Sequence, residues 1–432
     1  MAWAAWWAVA GVVAALVLGA FGGIAIYNTK DGQLQGGERQ ELTFPETPTA
    51  MLAAVDRSGD LASVTVFAVR PTQDGEARGG TVVPVPVSAD ATGGFGDDRA
   101  PLAETAALFG IDTVVEEVPV LLGVSLDATV VVDESDLVDL LAPLGEIDVT
   151  LPVAVVGRRG VEVAPAGRQS MNAVTMAKVL TAVDADTPGT TRVLAQVAVW
   201  QGIADAVGVG LASPLTLSSD GGVTPTTTDA RLDVGAGSSV SVGELITRLT
   251  AGPMGVRALR SFGAAALDVN PRGVDAVVLD RVDVATVFGH VAPGRVSAPN
   301  PGYNFQVRSR YDDGQLPDDL TRNDIAYAAT KALLATDANV IAVDTSIDSA
   351  ESATIVEVTD ETLMASAERL NDVFGPVEVR VVDRPIAGVD VIITLGTDYG
   401  DHLEASVVTS APVTTTGDGS TSSVSPATGT AT

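Results

Sequence analysis

One segment sets the fold class and reads, from Val118 to Pro152, VPVLLGVSLDATVVVDESDLVDLLAPLGEIDVTLP. Its beginning continues a helical spacing of apolar residues that starts at Val114 and ends at Leu122. Ala128–Val132 is a short β-branched run typical of a strand, and Asp133 is placed to cap a helix over Glu134–Leu141. This alternation of helix and strand predicts an α/β domain with a mainly central sheet.

The same alternation extends toward both ends of this unit. On the N-terminal side, Ser63–Val69 and Thr81–Val87 read as strands, and Pro84 and Pro86 predict that the second is an edge strand or an interrupted one. Gly157-Arg158-Arg159 has the composition of a hairpin turn. The other predicted elements are helices over Leu102–Phe109, Ser170–Val183, Arg192–Val207, Val242–Leu249 and Val282–Phe288, strands over Val149–Val156, Gly160–Val163 and Ala276–Leu279, and a loop over Ser213–Ser239.

A Pro/Gly-rich segment, APGRVSAPNPGY from Ala292 to Tyr303, marks a boundary. Beyond it the alternation resumes and predicts a second, smaller α/β unit of about 95 residues. Its predicted elements are strands over Phe305–Ser309, Asn339–Val343, Thr354–Val358, Glu378–Val382 and Asp390–Leu395, and helices over Asp324–Ala335 and Glu361–Phe374. The Ser/Thr-rich end from Ala405 has too few apolar residues for a core, so we expect it to be disordered.

The N-terminus carries the strongest single signal. Residues 2–27 contain no charged side chain, with Trp3, Trp6 and Trp7 at one end and Tyr27 at the other. An apolar run of this length can cross a bilayer as a helix, and aromatic rings favour the headgroup level. A cleaved signal peptide would have a basic stretch before a shorter apolar core. We therefore expect an uncleaved single-pass anchor, although the charges flanking it do not settle the orientation.

The charge balance excludes several classes of function. The 432 residues include 25 Lys and Arg against 55 Asp and Glu, a net charge of −30, which repels nucleic acid. There is no cysteine, so disulfides and thiolate sites are excluded. The two histidines, His290 and His402, have no neighbouring metal-ligand pattern, and no nucleotide-binding or serine-hydrolase motif is present.

Several segments resemble the LytR-CpsA-Psr family, and the resemblance covers about two thirds of the chain. Within Val118–Pro152 the matching positions are Gly123, Asp127, Val132, Leu137, Leu144, Gly145 and Val149. Two later segments, GRQSMNAVTMAKVL (Gly167–Leu180) and TTRVLAQVAVWQGI (Thr190–Ile203), resemble family helices. The stretch Ala367–Tyr399 is similar to the LytR C-terminal domain that often follows in such chains.

The resemblance implies an activity that this sequence is poorly equipped to perform. Such proteins transfer a glycopolymer from a polyprenyl-diphosphate carrier to peptidoglycan outside the cytoplasmic membrane, using arginines and a carboxylate-held Mg²⁺. Where the family has its metal-binding aspartate, this chain has Ser63, and where it has an arginine before an aspartate, this chain has Ala89 and Asp90. The family's arginine pair is missing near Asp184, and Arg192 alone remains, with Gln196 four residues later.

We therefore predict no catalytic residue, cofactor or metal, with Mg²⁺ required only if the transferase interpretation holds. If the chain is active, the candidate residues are Asp56, Asp90, Arg99 and Arg192. Asp56, Asp90 and Arg192 also have a structural interpretation: aspartates favour turns, and an arginine on a helix is commonly solvated or ion-paired.

Three functions compete. The first is a non-catalytic relative that binds an envelope partner, a lipid carrier or a glycan. The second is a divergent active transferase that uses arginines outside the matched positions, such as Arg57, Arg70, Arg78 or Arg99. The third is an unrelated membrane-tethered structural or interaction protein. A pocket holding two or more arginines and a carboxylate favours the second, an apolar pocket the first, and a chain without a pocket the third.

The predicted organisation follows from these segments. It comprises a transmembrane anchor (2–27), a linker (28–48), a LytR-CpsA-Psr-like domain (49–291), a second linker (292–303), a LytR C-terminal-like domain (304–401) and a disordered tail (402–432). We expect the bulk to lie outside the cell membrane, because the tail composition and the resemblance both favour this orientation.

Overall fold

The computed structural model describes most of the chain between the N-terminal segment and the Ser/Thr-rich end. The described residues are 44, 47–70, 78–90, 100–184, 187–217, 241–263, 276–300, 302–311, 313–316, 320–346 and 351–410. The predicted anchor and Arg99 lie outside them, as do most of the predicted loop over Ser213–Ser239 and the end of the chain from residue 411.

A five-stranded mixed sheet forms the centre of the N-terminal part. Its order is β4-β1-β2-β3-β9, with β1, β2 and β3 antiparallel and the outer strands β4 and β9 parallel to their neighbours. The strands are β1 (Thr49–Val55), β2 (Leu61–Val69), β3 (Gly80–Val85), β4 (Ala128–Val132) and β9 (Met254–Val256). The central sheet predicted from the alternating pattern is therefore present.

Helices cover both faces of this sheet, which makes three layers. One face packs against α3 (Glu134–Leu141), α4 (Ala173–Leu180), α5 (Gly189–Val207) and α6 (Val242–Thr250). The opposite face packs against α1 (Leu102–Phe109), α2 (Ile111–Leu122) and α7 (Arg281–Val291). Alternate residues of β2 serve the two cores, with Phe67 in the first and Val66 in the second. Burial on both faces explains why the strands read as continuous apolar runs.

Two features of the sheet refine the sequence prediction. The proline-containing strand β3 lies inside the sheet at Gly80–Val82, where β9 pairs with it, but this pairing ends before Pro84. Pro84 therefore faces no partner on that side and loses no ladder hydrogen bond. Asp133 caps α3 as predicted, accepting hydrogen bonds from the backbone N–H groups of Ser135 and Asp136.

Three short two-stranded antiparallel ribbons lie outside the central sheet of this part. They are β5 (Ile147–Leu151) with β8 (Gly167–Met171), β6 (Val155–Gly157) with β7 (Val161–Ala164), and β10 (Ser261–Gly263) with β11 (Val277–Leu279). The predicted hairpin at Gly157-Arg158-Arg159 is confirmed, but the strand predicted over Val149–Val156 is divided at Pro152. The helix predicted from Ser170 was wrong at its start, because Asn172 caps α4 and Ser170 pairs within β8.

The C-terminal part has its own five-stranded sheet, in the order β13-β12-β16-β14-β15. Its strands are β12 (Asn304–Arg308), β13 (Asn339–Asp344), β14 (Thr354–Val358), β15 (Val377–Val381) and β16 (Val391–Thr394). The main helix, α8 (Arg322–Leu334), begins with a capping box between Thr321 and Asp324. A separate apolar cluster that includes Phe305, Ile325 and Ile393 forms the core of this sheet.

Two helical predictions in this part need correction. The single helix predicted over Glu361–Phe374 is a chain of short turns, with α9 (Met364–Ala367) and α10 (Asn371–Phe374) separated by 3₁₀ turns. The backbone angles stay helical at the junctions, while hydrogen bonds alternate between three and four residues. The disordered tail was predicted to begin at residue 402, but residues 402–410 belong to α11 (Thr397–Ser410), which contains the buried Tyr399.

The two sheets are joined through α7 and the segment after it. Helix α7 lies against β13, and a Cβ built on Gly289 would come within 2.9 Å of Val343 Cγ2. The predicted linker contacts both parts, since Val296 bridges to Val124 and the N–H of Asn300 donates to Asn339 Oδ1 at 3.0 Å. Among the described residues, no helix combines the length and apolar character that crossing a membrane requires.

Candidate functional site

The candidate residues from the sequence lie around one end of the N-terminal sheet, where β2 begins and β3 finishes. We call this the Ser63 end and define it by Asp56, Ser63, Asp90 and Arg192. The opposite end of the same strands carries Arg70, which follows β2, and Gly80, which opens β3. Each end has a different chemical environment.

Asp56 is a turn residue at the Ser63 end. Its carboxylate accepts hydrogen bonds from the backbone N–H groups of Ser58 at 2.8 Å and Asp60 at 3.0 Å, which closes the turn between β1 and β2. Arg158, at the tip of the β6–β7 hairpin, forms ion pairs with both Asp56 and Asp60. The carboxylate of Asp56 therefore links the β6–β7 hairpin to the turn between β1 and β2.

The side chains of α5 fill the space in front of Ser63. Ser63 is 1% exposed and lies on the same face of β2 as Thr65. Gln196 Nε2 donates to the carbonyl oxygen of Ala62 at 3.0 Å, and Trp200 Nε1 donates to Thr65 Oγ1 at 3.2 Å. Trp200 also packs edge-on against Phe67, with ring centroids 5.5 Å apart. These contacts seal the face of β2 that begins at Ser63.

The cavity beside Arg192 is too small for a ligand. It has a volume of about 10 Å³ and is lined by residues that include Thr191, Arg192 and Gln196. One water molecule needs at least about 10–15 Å³. This cavity lies between α4, α5 and the β6 region, and a diphosphate does not fit in it.

Asp90 lies in the other layer, against α1, α2 and β11. Its backbone N–H donates to the carbonyl oxygen of Val277 at 2.9 Å, and the N–H of Leu102 donates to the carbonyl oxygen of Ala89 at 3.0 Å. Asp90 is 4% exposed. Burial, together with the negative charges of Asp90 and Glu116, raises the pKa of Glu117. This side of the sheet holds a crowded set of carboxylates.

The residues at the Ser63 end do not suit the metal that the family resemblance implies. Ser63 offers a neutral hydroxyl where a carboxylate would be needed, and Asp90 belongs to a different layer from Arg192. Within the described ranges, no three His, Asp or Glu side chains are grouped so that they could hold a metal ion.

At the opposite end, an open cleft of about 1000 Å³ separates the two sheets. We call it the interdomain cleft. Its lining includes three arginines (Arg70, Arg257 and Arg322) and His290. Arg70 was one of the arginines considered for an active transferase, whereas Arg57 is ion-paired with Glu134 at 3.0 Å on the surface. Arg78 is exposed and does not line the cleft.

The backbone fixes the positions of two of these arginines. The N–H of Arg70 donates to the carbonyl oxygen of Gly79, and the N–H of Arg257 donates to that of Val82, both at 2.9 Å. A Cβ on Gly80 would lie 2.1 Å from the carbonyl oxygen of Ala68, so only glycine permits this close approach. Arg70 and Arg257 therefore stand on either side of the start of β3.

His290 connects the two parts of the molecule at the floor of the interdomain cleft. Its Nδ1 lies 3.1 Å from the carbonyl oxygen of Val343 and 3.3 Å from Thr345 Oγ1. The His290 side chain is exposed on the cleft side and partly desolvated by the protein packed around it. This partial desolvation, together with the positive charges of Arg257 and Arg70, lowers the pKa of His290.

No local sequence pattern points to this cleft. Arg257 and Arg322 follow no motif, and His290 was set aside because no histidine or carboxylate cluster surrounds it in the sequence. The lining residues come from both sheets and are far apart along the chain, so their proximity depends on the packing of α7 and α8.

No protein-family model matches the sequence, and no curated protein matches it either. Solved structures give several matches. A LytR-Csp2A-Psr enzyme from Actinomyces oris is 17% identical, with 57% of this chain and 95% of that chain covered and a TM-score of 0.36. B. subtilis TagV is 13% identical, covering 56% of this chain and 94% of that one, with a TM-score of 0.36. A TagT bound to LIIa-WTA is 16% identical over 56% and 88%, with a TM-score of 0.37.

Proposed function

We propose that this chain is a membrane-tethered, extracytoplasmic envelope protein that keeps a LytR-CpsA-Psr-like domain but does not catalyse phosphotransfer, and that it binds an envelope component instead. One observation carries the proposal: the Ser63 end is closed by α5. The side chains of Gln196 and Trp200 donate hydrogen bonds to residues of β2. The cavity beside Arg192 has a volume of only about 10 Å³.

The chemistry of phosphotransfer explains why this closure matters. A diphosphate needs several preorganised cations and, in this family, a metal carboxylate. At the matching positions the chain has Ser63 and Ala89, and Asp56 is already paired with Arg158. A single substitution that restored the carboxylate at position 63 would still leave no arginine at position 89, because the two positions lie in different parts of the chain.

A divergent transferase is the alternative, and one observation favours it. The interdomain cleft contains three arginines, as a diphosphate site would require. No Asp or Glu lines the described part of this cleft, however, and Asp344 and Asp283 are ion-paired with Arg310 and Arg260. The cleft therefore favours binding over metal-assisted transfer. The third function, an unrelated structural protein, would be favoured by a chain without a pocket, and the interdomain cleft therefore does not favour it.

The activity test uses the purified full chain with a polyprenyl-diphosphate-linked glycan, Mg²⁺ and an acceptor glycan. We expect no transfer above the background without protein. Transfer that disappears in Arg192→Ala or Arg99→Ala, but not in the surface variant Arg168→Ala, would establish the divergent transferase. Arg168 is a suitable control because it is exposed and pairs only with Asp148 on the β5–β8 ribbon among the described residues.

Topology and domain organisation are tested separately. Protease added to intact spheroplasts should digest the bulk of the chain, and protection until lysis would reverse the proposed orientation. A fragment covering residues 304–410, which retains all of α11, should give a folded circular dichroism spectrum. A disordered spectrum would contradict the proposal that the C-terminal part is a separate domain.

A further inference from the structure

We propose that the interdomain cleft is a binding site for a phosphate-bearing ligand, with Arg70, Arg257 and Arg322 as its anion contacts. This inference goes beyond the proposed function, because the interdomain cleft lies at the opposite end of the sheet from Ser63. Phosphate binding in the cleft and loss of phosphotransfer at the Ser63 end can each fail without the other.

The first argument is the state of Arg70 and Arg257. Neither side chain forms a hydrogen bond or ion pair with another described residue. The chain has 55 Asp and Glu for 25 Lys and Arg, so carboxylates are abundant, and at least nine of the described arginines form an ion pair with one. Arg257 interacts electrostatically with Asp283, which is itself ion-paired with Arg260, but no Asp or Glu lines the described part of the cleft, so an anion there would be attracted to both Arg257 and Arg70.

The second argument is that the C-terminal part adds a cation from the other side. Arg322 is the first residue of α8, and its Nη1 donates to the carbonyl oxygen of Thr345 at 3.1 Å. Thr345 in turn contacts His290. The cleft therefore has positive charge on both of its walls, and a ligand that bridges them contacts both sheets.

The third argument concerns the class of anion. A carboxylate is satisfied by one arginine in a bidentate pair, whereas a phosphate offers more oxygens and up to two charges. Three guanidinium groups from separate elements suit a phosphate or diphosphate better. Neutral donors from Thr81, Asn323 and Ser346 supplement them.

The fourth argument is size and shape. At about 1000 Å³ the cleft is much larger than a phosphate ion and is in the range of small-molecule sites. Val291, Pro293, Leu316 and Leu320 add an apolar portion to the lining. A phosphate ester with a carbon skeleton, such as a sugar phosphate, matches this combination better than a free inorganic ion.

Isothermal titration calorimetry of the full chain tests the site, with pyrophosphate and glucose 1-phosphate as probes and citrate as the carboxylate comparison. We expect both phosphate probes to bind and citrate to bind at least tenfold more weakly. Arg70→Gln and Arg257→Gln should each weaken pyrophosphate binding about tenfold, the loss of one charge-assisted contact.

Arg281→Gln is the matched control. It removes the same charge from an exposed arginine at the start of α7, about 13 Å along the helix from His290. It should change the affinity less than twofold. Arg70→Lys keeps the charge but loses the bidentate fork, so it should bind with intermediate affinity, and it serves as the test if Arg70→Gln does not fold.

Each other outcome overturns the proposal. Failure of pyrophosphate and glucose 1-phosphate to bind at millimolar concentration would show that the cleft is not a phosphate site. Equal weakening by Arg281→Gln would indicate a general charge effect. Citrate binding as tightly as pyrophosphate, with the same dependence on Arg70 and Arg257, would refute the assignment to the phosphate class.

Discussion

The two ends of strands β2 and β3 differ in how their polar side chains are used. At the Ser63 end, polar side chains form contacts within the protein: Asp56 is ion-paired with Arg158, and Gln196 and Trp200 donate hydrogen bonds to β2. At the opposite end, Arg70 and Arg257 are positioned by backbone hydrogen bonds while their guanidinium groups face open space. A polar side chain that faces a cleft without a protein partner is available to a ligand, whereas one already hydrogen-bonded within the protein is not. The type of residue alone does not distinguish the two cases.

The largest expected effect comes from opening the Ser63 end. Trp200→Ala removes a side chain that is 4% exposed, its contact with Phe67 and its hydrogen bond to Thr65. We expect the free energy of unfolding to fall by about 3–5 kcal/mol, measured by urea denaturation followed by circular dichroism. Leu194→Ala on the same helix is 46% exposed and should cost less than about 0.5 kcal/mol. Equal losses would mean that α5 does not seal this end.

The second prediction separates the two walls of the interdomain cleft. Gly289→Leu places a side chain where even a Cβ lies 2.9 Å from Val343 Cγ2, so α7 must move away from β13. We expect a loss of about 1–3 kcal/mol in unfolding free energy and weaker pyrophosphate binding. Gly400→Ala, at an open position in α11, is the control: it should leave pyrophosphate binding unchanged and should not lower the unfolding free energy. Unchanged binding in Gly289→Leu would show that the α7–β13 contact does not shape the cleft.

The third prediction uses pH. The pKa of His290 is lowered by partial desolvation and by Arg257 and Arg70, with Asp344 opposing them and Arg322 reaching the cleft through Thr345. The lowered pKa favours the neutral ring, and a bound dianion would raise this pKa, so we expect binding to take up protons. Sulfate, whose charge is constant in this range, should bind about threefold to tenfold more tightly at about pH 5.5 than at about pH 7.5.

Titration calorimetry in buffers of different ionisation enthalpy measures this proton uptake. His290→Gln should abolish the pH dependence while keeping most of the affinity, because the arginines remain. His402 provides the control: it stacks on Tyr399 in the C-terminal core, and His402→Gln should leave the pH dependence of binding intact. A pH dependence that survives in His290→Gln would mean that another group titrates.

The smallest effect is expected for the ion pairs at the Ser63 end. Arg158 is half exposed, and its pairs with Asp56 and Asp60 lie near the surface. Arg158→Ala should lower the unfolding free energy by less than about 1 kcal/mol and leave pyrophosphate binding unaltered. If this variant instead acquired phosphotransfer activity, Arg158 would be blocking a functional Asp56, and the two ends would be more alike than we propose.

Much of the fold was predictable because it depends on local spacing. The strand Ala128–Val132 and the Asp133 cap follow from apolar periodicity and from the capping chemistry of aspartate. Predictions failed where neighbours in space decided the outcome. Ser170 joined a strand because β5 was available to pair with it, and residues 402–410 stayed helical because Tyr399 anchors their helix in the core.

The sequence by itself determined the alternation of helices and strands, the acidic charge, the apolar N-terminal run and the departure from the family pattern at Ser63 and Ala89. Only the tertiary structure decided which polar side chains have hydrogen-bond or ion-pair partners within the protein. Arg70, Arg257 and Arg322 line one cleft because β2, β9 and α8 converge there, whereas the Gln196 amide is hydrogen-bonded to β2 because α5 crosses the start of that strand. The physical reason is that hydrogen bonds and charge pairs act over a few ångströms, and only folding brings residues so far apart in sequence within that range.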